Sequence, residues 1–299
     1  MTAHGHNQAF RRRPRSAREL REALDGLLAR VNPEALVAED PVSLVHRYPD
    51  PHDQEVAGLV VAGLAYGRVA SIRDKAREAL DRLGARPARS VDRGEVTALR
   101  GFVYRFQRGE DLVRLATAIG ALRARHGSLG QAFSELRRPE DLDHADTASR
   151  WVGALREAMN PPLTYGARYL LPDPGSGGAS KRLLLYLRWM IRGPDGLDLG
   201  AWGRALAPSL RPDRLVIPID THISRLARYL GLTERRADDL TTAREITTGL
   251  ARLCAEDPIR YDMALCHLGI SGACPRELEP AKCGACPLWD VCRVRPRSR

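Results

Sequence analysis

The sequence lacks any run of about 18 apolar residues, so we expect no transmembrane helix. Arginines crowd its first twenty residues, but no apolar segment follows them, which argues against a secretory signal; a basic, acid-poor transit peptide stays an alternative. Cysteine is absent before Cys254, unlike the dispersed disulfide framework of a small secreted domain. These absences favour a protein of a reducing cytoplasm that does not enter membranes.

Alternation of apolar and polar residues, the pattern of half-buried strands, is also scarce, and its best case is the short RLVIPI at 214–219. Apolar residues at helical spacing fill the chain instead. We therefore predict an all-α protein of about ten helices with short connections. Two helices meet near AYGR at 65–68, two more are separated at His126 and Gly127, and 196–206 forms another.

The chain is long enough for one large domain or two small ones. We predict a disordered basic tail at 1–17, an all-α domain at 18–270, and a cysteine-rich loop with a basic tail at 271–299. The net charge of +10 favours polyanionic partners, nucleic acid before anionic membranes, with a solvated basic surface as the plain alternative.

Four of the six cysteines lie in the last 26 residues and form the pattern C-x8-C-x2-C-x5-C. They are Cys274, Cys283, Cys286 and Cys292. Four thiolates in one short loop can enclose a tetrahedral ion or a cubane iron–sulfur cluster. Zinc ribbons usually contain two CxxC pairs and this loop has one, so the spacing favours a [4Fe-4S] cluster, with zinc as the alternative.

This loop, directly after ALCHLGI at 264–270, resembles the [4Fe-4S] loop of the endonuclease III group, which are helix-hairpin-helix base-excision DNA glycosylases (the HhH-GPD superfamily). Upstream, LLPDPGSGGAS at 170–180 resembles the hairpin of that superfamily, although it is longer, and DTHISR at 220–225 resembles its DTHV-R segment. The separation of 39 residues between Lys181 and Asp220 is more similar to the archaeal 8-oxoguanine glycosylase branch.

The chain is most similar to an uncharacterised bacterial family of this superfamily. Its CKRLNLFLRWMVR and PLDTHV segments are nearly repeated here, with Ser180 in place of the cysteine. The resemblance implies a fold of two helical lobes with the cleft between them, a monomeric state, a nucleoid-associated location and a structural cluster whose basic loop faces DNA. Arg276, Lys282 and Arg293 would then contact phosphates, or else be solvated charges.

The function that the resemblance implies is a bifunctional DNA glycosylase and AP lyase. It would excise a damaged or modified base, such as an oxidised purine, from duplex DNA. Lys181 would be the Schiff-base nucleophile and Asp220 its assisting carboxylate. Two alternatives stay open: a non-catalytic helix-hairpin-helix nucleic-acid-binding protein with a structural metal cluster, and a monofunctional enzyme in which Asp220 alone activates water.

Lys181 opens the predicted helix in GGASKRLLLYLRWMIRGP at 177–194, where the positive end of the helix dipole disfavours a cation. It can be an exposed first-turn lysine, a phosphate ligand or a nucleophile. Burial and the helix dipole would both lower the pKa of its amine and so favour the third role. Asp220 precedes another helix, where an N-cap is the plain expectation and a carboxylate near the reacting sugar carbon is the compatible functional one.

The predicted DNA contacts surround these two residues in the sequence. They are Gly175, Gly177, Gly178, Ser180, Arg182, His222, Arg225, Tyr66 and Arg68. Glycine amides can approach a phosphate closely, and the plain alternative for the loop is a flexible surface turn. Tyr66 and Arg68 are included by analogy with the residue that fills the gap left by a flipped base. Arg188 and Trp189 are candidates for the base pocket, since a flipped base stacks on a side chain.

Overall fold

The structure, a computed structural model of the chain, describes residues 16–206 and 208–294. Helices dominate these residues, and their strands are two short ones, Val103–Tyr104 (β1) and Gln107–Arg108 (β2), which pair antiparallel. The all-α prediction is therefore confirmed. None of the described helices is both long and apolar enough to cross a lipid bilayer. The predicted basic tails lie outside the described residues at 1–15 and 295–299, whereas Ser16 caps the first helix.

The chain divides into two compact units. The terminal unit combines Met1–Val31 with Ile219–Arg299, and the central unit is Asn32–Pro218. The cysteine-rich segment after residue 271 therefore belongs to the same unit as the first helix. The described helices of the terminal unit are Ala17–Leu28 (α1), Thr221–Leu230 (α13), Leu240–Ala251 (α14), Asp262–Ile270 (α15) and Pro280–Gly284 (α16), with a 3-10 helix at Trp289–Val291.

The helices between α1 and α13 in the sequence belong to the central unit. Its described α-helices are Pro33–Glu39 (α2), Ser43–His46 (α3), Pro51–Leu64 (α4), Val69–Leu83 (α5), Pro87–Asp92 (α6), Gly109–His126 (α7), Leu129–Glu135 (α8), His144–Ala158 (α9), Tyr165–Leu170 (α10), Lys181–Ile191 (α11) and Gly203–Leu206 (α12). Its 3-10 helices are Thr97–Gly101, Pro174–Ser176 and Pro212–Arg214.

Helix α4 is the core helix of the central unit. Asp50 caps it by accepting a hydrogen bond from the N–H of His52, and Pro51 occupies its first position, where no N–H is needed. All residues from 53 to 64 are buried, as the nearly continuous apolar composition predicts. Helix α11 packs along α4, so the core helix fixes the position of Lys181 within the unit.

One buried carboxylate joins several elements of this core. Glu55 is 1% exposed, and its carboxylate accepts hydrogen bonds from the Arg123 guanidinium and from the N–H groups of Leu129 at 3.0 Å and Gly130 at 3.1 Å. The indole N–H of Trp202 donates to it as well, at 2.9 Å. A fully bonded buried pair of this kind ties α4, α7 and α8 to one arrangement.

One local prediction is wrong. The segment 196–206 is helical only at Gly203–Leu206, because Gly193, Gly196 and Gly200 adopt φ values of 101°, 88° and 60°, which a helix does not contain. The RLVIPI segment at 214–219 forms no strand and is instead an extended, largely buried connection. Its alternation reflects burial among helices and not pairing in a sheet.

His144 makes the stability of the central unit depend on pH. It is 2% exposed, and its Nε2 lies 3.0 Å from the carbonyl oxygen of Arg211. Burial lowers the pKa of His144 from 6.5 to about 4. As the pH falls, the imidazole is therefore protonated in the unfolded chain before it is protonated in the folded one. The stabilisation by neutral, buried His144 is intact above about pH 6.5 and is lost as the pH falls from there towards 4.

We expect this single group to remove about 3 kcal/mol of unfolding free energy over that range. Urea unfolding at pH 7 and pH 4.5 measures the loss in the wild type and in His144→Gln, which should show a smaller pH dependence. His267→Gln, at an exposed histidine, is the matched control and should keep the wild-type dependence. Equal losses in His144→Gln and the wild type would show that His144 does not control this transition.

Candidate functional site

An exposed glycine-rich loop precedes α11, and hydrogen bonds to one aspartate fix its conformation. The Asp173 carboxylate accepts hydrogen bonds from the N–H of Gly175 at 2.8 Å and from the hydroxyl of Ser149 at 2.6 Å. A Cβ at Gly175 would lie 2.4 Å from that hydroxyl oxygen, so only glycine fits there. Gly177 has φ 82°, and both it and Gly178 are exposed. The loop is exposed, but the N–H groups of Gly175 and Gly177 donate within it, to Asp173 and to the carbonyl oxygen of Pro174, so these two predicted phosphate contacts are engaged inside the loop.

Helix α11 begins without a side-chain cap. Ser180, its N-cap residue, adopts the left-handed conformation with φ 45°, and its hydroxyl makes no capping hydrogen bond. A serine in this conformation is uncommon and conformationally strained. Lys181 follows as the first helical residue and is partly buried. The first turn of α11 therefore keeps the anion-attracting character of a helix start.

Asp40 is an electrostatic neighbour of Lys181 in the central unit, and no local sequence pattern marks it. Asp40 joins α2 to α3, and its Oδ1 accepts a hydrogen bond from the N–H of Val42 at 2.8 Å. Burial raises the pKa of the Asp40 carboxyl, while the Val42 N–H, Arg188 and Lys181 oppose the rise. A partly buried carboxyl with a raised pKa therefore lies in the electrostatic surroundings of the candidate nucleophile.

The other predicted site residues of α11 are engaged within the unit. The Arg182 guanidinium donates to the carbonyl oxygens of Gly63 and Tyr169 and lies 4.2 Å above the Tyr169 ring. Arg188 is 2% exposed, with its Nε 3.0 Å from Oδ1 of the buried Asp198.

Trp189, the second candidate for the base pocket, is completely buried. Among the described residues its indole Nε1 has no hydrogen-bond partner. Together with the contacts of Arg182 and Arg188, this burial shows that α11 is anchored by the side chains that follow Lys181.

Tyr66 and Arg68 lie on the connection between α4 and α5. Tyr66 is buried, and its hydroxyl donates to the carbonyl oxygen of Tyr104 at 3.3 Å. Arg68 is exposed and immediately precedes α5. Of these two predicted contacts, only Arg68 is placed at the surface.

Asp220 belongs to the terminal unit, where it is the N-cap of α13. Its Oδ1 accepts hydrogen bonds from the N–H groups of His222 at 2.9 Å and Ile223 at 3.0 Å. The capping interpretation is therefore confirmed. The His222 side chain packs on Gly269 of α15, where a Cβ would lie 2.7 Å from the His222 Cβ. That close approach sets the spacing of α13 and α15.

Further along α13, two side chains hold the cysteine-rich loop. Arg225 donates to the carbonyl oxygen of Cys274 at 3.0 Å, and the Tyr229 hydroxyl donates to the carbonyl oxygen of Arg276 at 2.7 Å. Two predicted phosphate contacts pair with carboxylates, Lys282 with Glu279 at 2.9 Å and Arg293 with Glu234 at 3.3 Å. Arg225 thus orients the loop that carries the four cysteines.

The four cysteines line one small cavity, with Tyr229 and Trp289 among its walls. The cavity is small, with a volume of about 30 Å³, and is partly open to solvent. Burial and the neighbouring thiols raise the pKa of Cys274 to about 11, which Arg225 opposes. A cation among these sulfurs would reverse that rise and draw them into the thiolate form.

In residues 16–206 and 208–294, no group of three or more histidine, cysteine, aspartate or glutamate side chains converges closely enough to hold a metal ion. The cavity lined by four cysteines and the absence of a site for a single ion are compatible. A single tetrahedral ion needs all ligand atoms within about 2.3 Å of one point, whereas a polynuclear cluster accepts sulfurs spread around a larger space. The arrangement therefore brings four thiol donors to one cavity without gathering them around a single point.

Comparison with known proteins identifies one family that matches this chain. Residues 40–271 match the family described as protein of unknown function (DUF2400), which is most of the chain. The chain belongs to the DUF2400 family. No curated protein and no solved structure matches this DUF2400 chain. The matched region includes Asp40, Lys181 and Asp220 and ends before Cys274, so the candidate catalytic residues lie within the family region and the cysteine cavity outside it.

Proposed function

We propose that this DUF2400 protein is a DNA glycosylase with AP-lyase activity that acts on a damaged or modified base. The observation that carries the proposal is the place of Lys181. It opens a helix without a side-chain cap, directly after an exposed glycine loop. Backbone amides and the helix dipole at such a start attract phosphate, and a phosphate held there brings its adjoining sugar to the lysine amine.

The chemistry begins with the neutral amine of Lys181. It attacks the sugar carbon C1′ while the bond from C1′ to the base nitrogen breaks, and the base leaves with that electron pair and takes up a proton. The amine loses its protons as the sugar ring opens to an imine between Nζ and C1′. Removal of a proton from C2′ then expels the 3′ phosphate, and water releases the lysine.

Two carboxylates are candidates for the proton transfers. Asp40 is the electrostatic neighbour of Lys181 within the central unit, and burial raises the pKa of its carboxyl above the ordinary value. The resemblance to the glycosylases assigns the assisting role to Asp220. Its cap bonds use Oδ1 and are compatible with that role, which stays a prediction.

Borohydride trapping tests the proposal, because an imine between protein and sugar is reduced to a stable covalent adduct. The substrates are duplex oligonucleotides that carry an abasic site, 8-oxoguanine or no lesion. We expect an adduct with the abasic and damaged duplexes and none with the intact one. Binding of every duplex without any adduct would overturn the lyase and leave the non-catalytic binding function.

We further propose that Cys274, Cys283, Cys286 and Cys292 hold a [4Fe-4S] cluster. Four thiol donors around one cavity support it. When bound, such a cluster would supply a fixed cross-link of the loop. Arg225 and Tyr229 fasten that loop to α13, so the binding residues and their supports belong to one unit.

Replacing Cys286 with serine should therefore lower the iron and acid-labile sulfide that copurify with the chain from about four of each to a small fraction. The matched control is Cys254→Ala, at a buried cysteine whose sulfur contacts Glu256 and Arg260, and it should keep both. Elemental analysis and sulfide assay measure the result. Zinc without sulfide in the wild type would contradict the cluster and favour a zinc site.

A further inference from the structure

Aromatic residues form only 5% of the sequence, yet five of them make one continuous cluster in the central unit. Its members are Tyr66, Tyr104, Phe106, Tyr165 and Tyr169. Ring centroids of adjacent members lie 4.8–5.8 Å apart, which is the range of favourable aromatic contacts. Another ring cluster, of Phe133, Trp151, Tyr186 and Trp202, lies wholly in the buried core, whereas this one reaches the surface.

The cluster has a buried base and an exposed face. Tyr66 and Tyr104 are buried, and each hydroxyl donates to the main-chain carbonyl of the other residue. Phe106 is 38% exposed and Tyr165 is 63% exposed, with ring centroids 5.1 Å apart, and both rings contact Tyr169. Two adjacent rings are thus held towards solvent on a rigid support.

The hairpin that carries Phe106 is built under backbone strain. β1 and β2 are joined by only two residues, Arg105 and Phe106, and Arg105 adopts φ 54°. Asn-Gly or Gly-containing pairs fill such loops without strain, whereas a residue with a branched or long side chain at positive φ is strained. The hairpin also rests on Gly67, where a Cβ would lie 2.8 Å from the Tyr104 hydroxyl oxygen. The two-residue loop therefore places Arg105 and Phe106 together at the tip of the hairpin.

Four exposed arginines lie on the three segments that carry the cluster. They are Arg68 beside Tyr66, Arg105 and Arg108 on the hairpin of Phe106, and Arg168 one turn after Tyr165, and the Arg105 guanidinium lies 5.9 Å from the Tyr66 ring. In the part of the chain that the structure describes, none of these four guanidinium groups lies within 4.0 Å of a carboxylate. Of the acidic residues at the start of α7, Glu110 lies 3.4 Å from Arg100, and Asp111 is buried and accepts from the Arg108 N–H and the Thr164 hydroxyl. The surface around the rings is therefore positive.

We infer that this aromatic–arginine surface binds an unpaired stretch of DNA, with bases stacked on Phe106 and Tyr165 and phosphates held by the surrounding arginines. Base stacking on exposed aromatic rings beside cations is how proteins bind single strands without reading their sequence. The choice of DNA rests on the proposed function, whereas the stacking does not need Lys181. A partly opened duplex near a flipped base would supply such a stretch.

Fluorescence anisotropy with a labelled oligothymidine DNA strand tests the inference on the full chain. The double variant Phe106→Ala with Tyr165→Ala should bind at least about tenfold more weakly than the wild type. Leu142→Ala removes another exposed apolar side chain of the same unit and should bind like the wild type. Phe106→Trp with Tyr165→Phe keeps both rings and should retain binding, which separates stacking from any change in folding.

Three further results separate this inference from the proposed function. Lys181→Gln should bind the strand like the wild type even though it forms no adduct. If the wild type forms the borohydride adduct but the double alanine variant binds the strand unchanged, the stacking surface is overturned and the enzyme stands. Tighter binding of the matching RNA strand than of DNA would overturn the choice of DNA.

Discussion

Replacing Lys181 by glutamine should abolish the borohydride adduct and slow strand cleavage at an abasic site by at least about a thousandfold. Glutamine is one atom shorter than lysine and carries an amide in place of the nucleophilic amine, so no imine can form. The helix start and its glycine loop are unchanged, and binding of the duplex should therefore persist. Single-turnover cleavage of an abasic duplex, with binding measured in parallel, gives both quantities.

The chain offers close controls for this experiment because lysine is rare. Only Lys75, Lys181 and Lys282 occur among the 47 basic residues. Lys75 bonds Glu78 at 2.8 Å and Lys282 bonds Glu279 at 2.9 Å, so both are surface ion pairs of small energetic weight. Lys75→Gln and Lys282→Gln should cleave like the wild type. Base excision that survives in Lys181→Gln would instead indicate the monofunctional enzyme.

Replacing Glu55 by alanine should lower the unfolding free energy by about 3–5 kcal/mol, the largest stability loss that we expect from one substitution. The change leaves the buried Arg123 guanidinium without this carboxylate and removes the acceptor of the Leu129, Gly130 and Trp202 donors. Urea unfolding at neutral pH measures the difference.

The matched control is Glu110→Ala on α7, whose partner Arg100 is 3.4 Å away in a well-exposed pair. An exposed pair contributes at most about 1 kcal/mol, so this variant should stay near the wild type. A loss in Glu55→Ala no larger than that in Glu110→Ala would contradict the interpretation of Glu55 as the joint of α4, α7 and α8.

Local signals in the sequence predicted the elements that bear the candidate nucleophile and the capping aspartate. The glycines before α11 and the apolar spacing after Lys181 are both local patterns, and they placed this helix correctly. Asp220 followed by a helical pattern predicted the cap that the structure contains. Such features depend on a few consecutive residues, which is why sequence reasoning reaches them.

Features that need distant residues were missed. Asp40 and Lys181 are more than a hundred residues apart, and nothing local to Asp40 distinguishes it from an aspartate at a helix end. The hairpin of β1 and β2 has strands of two residues, too short to show any periodicity. The ring cluster joins the α4–α5 connection, the hairpin and helix α10, which are far apart in the sequence. The aromatic–arginine surface therefore exists only in the folded unit.

The partners of Arg182, which is half-buried, and of Arg188, which is buried, could likewise not be predicted from the sequence. Both are cations on a helix whose pattern allows a solvent-facing or a core-facing position for either. In the folded unit, carbonyl oxygens accept hydrogen bonds from Arg182, and the Asp198 carboxylate accepts one from Arg188. These acceptors come from other segments of the same chain and compensate the desolvation of both cations. Composition cannot reveal such partners, which the tertiary structure alone brings together.

The most direct test of the proposed chemistry is to find which amine carries the sugar after reduction. The wild-type protein is incubated with an abasic-site duplex, reduced with borohydride, digested with a protease specific for acidic residues and analysed by mass spectrometry. We predict the sugar adduct on Nζ of Lys181. An adduct on Lys75, on Lys282 or on the N-terminal amine would contradict the account, as would the absence of any adduct from protein that binds the duplex.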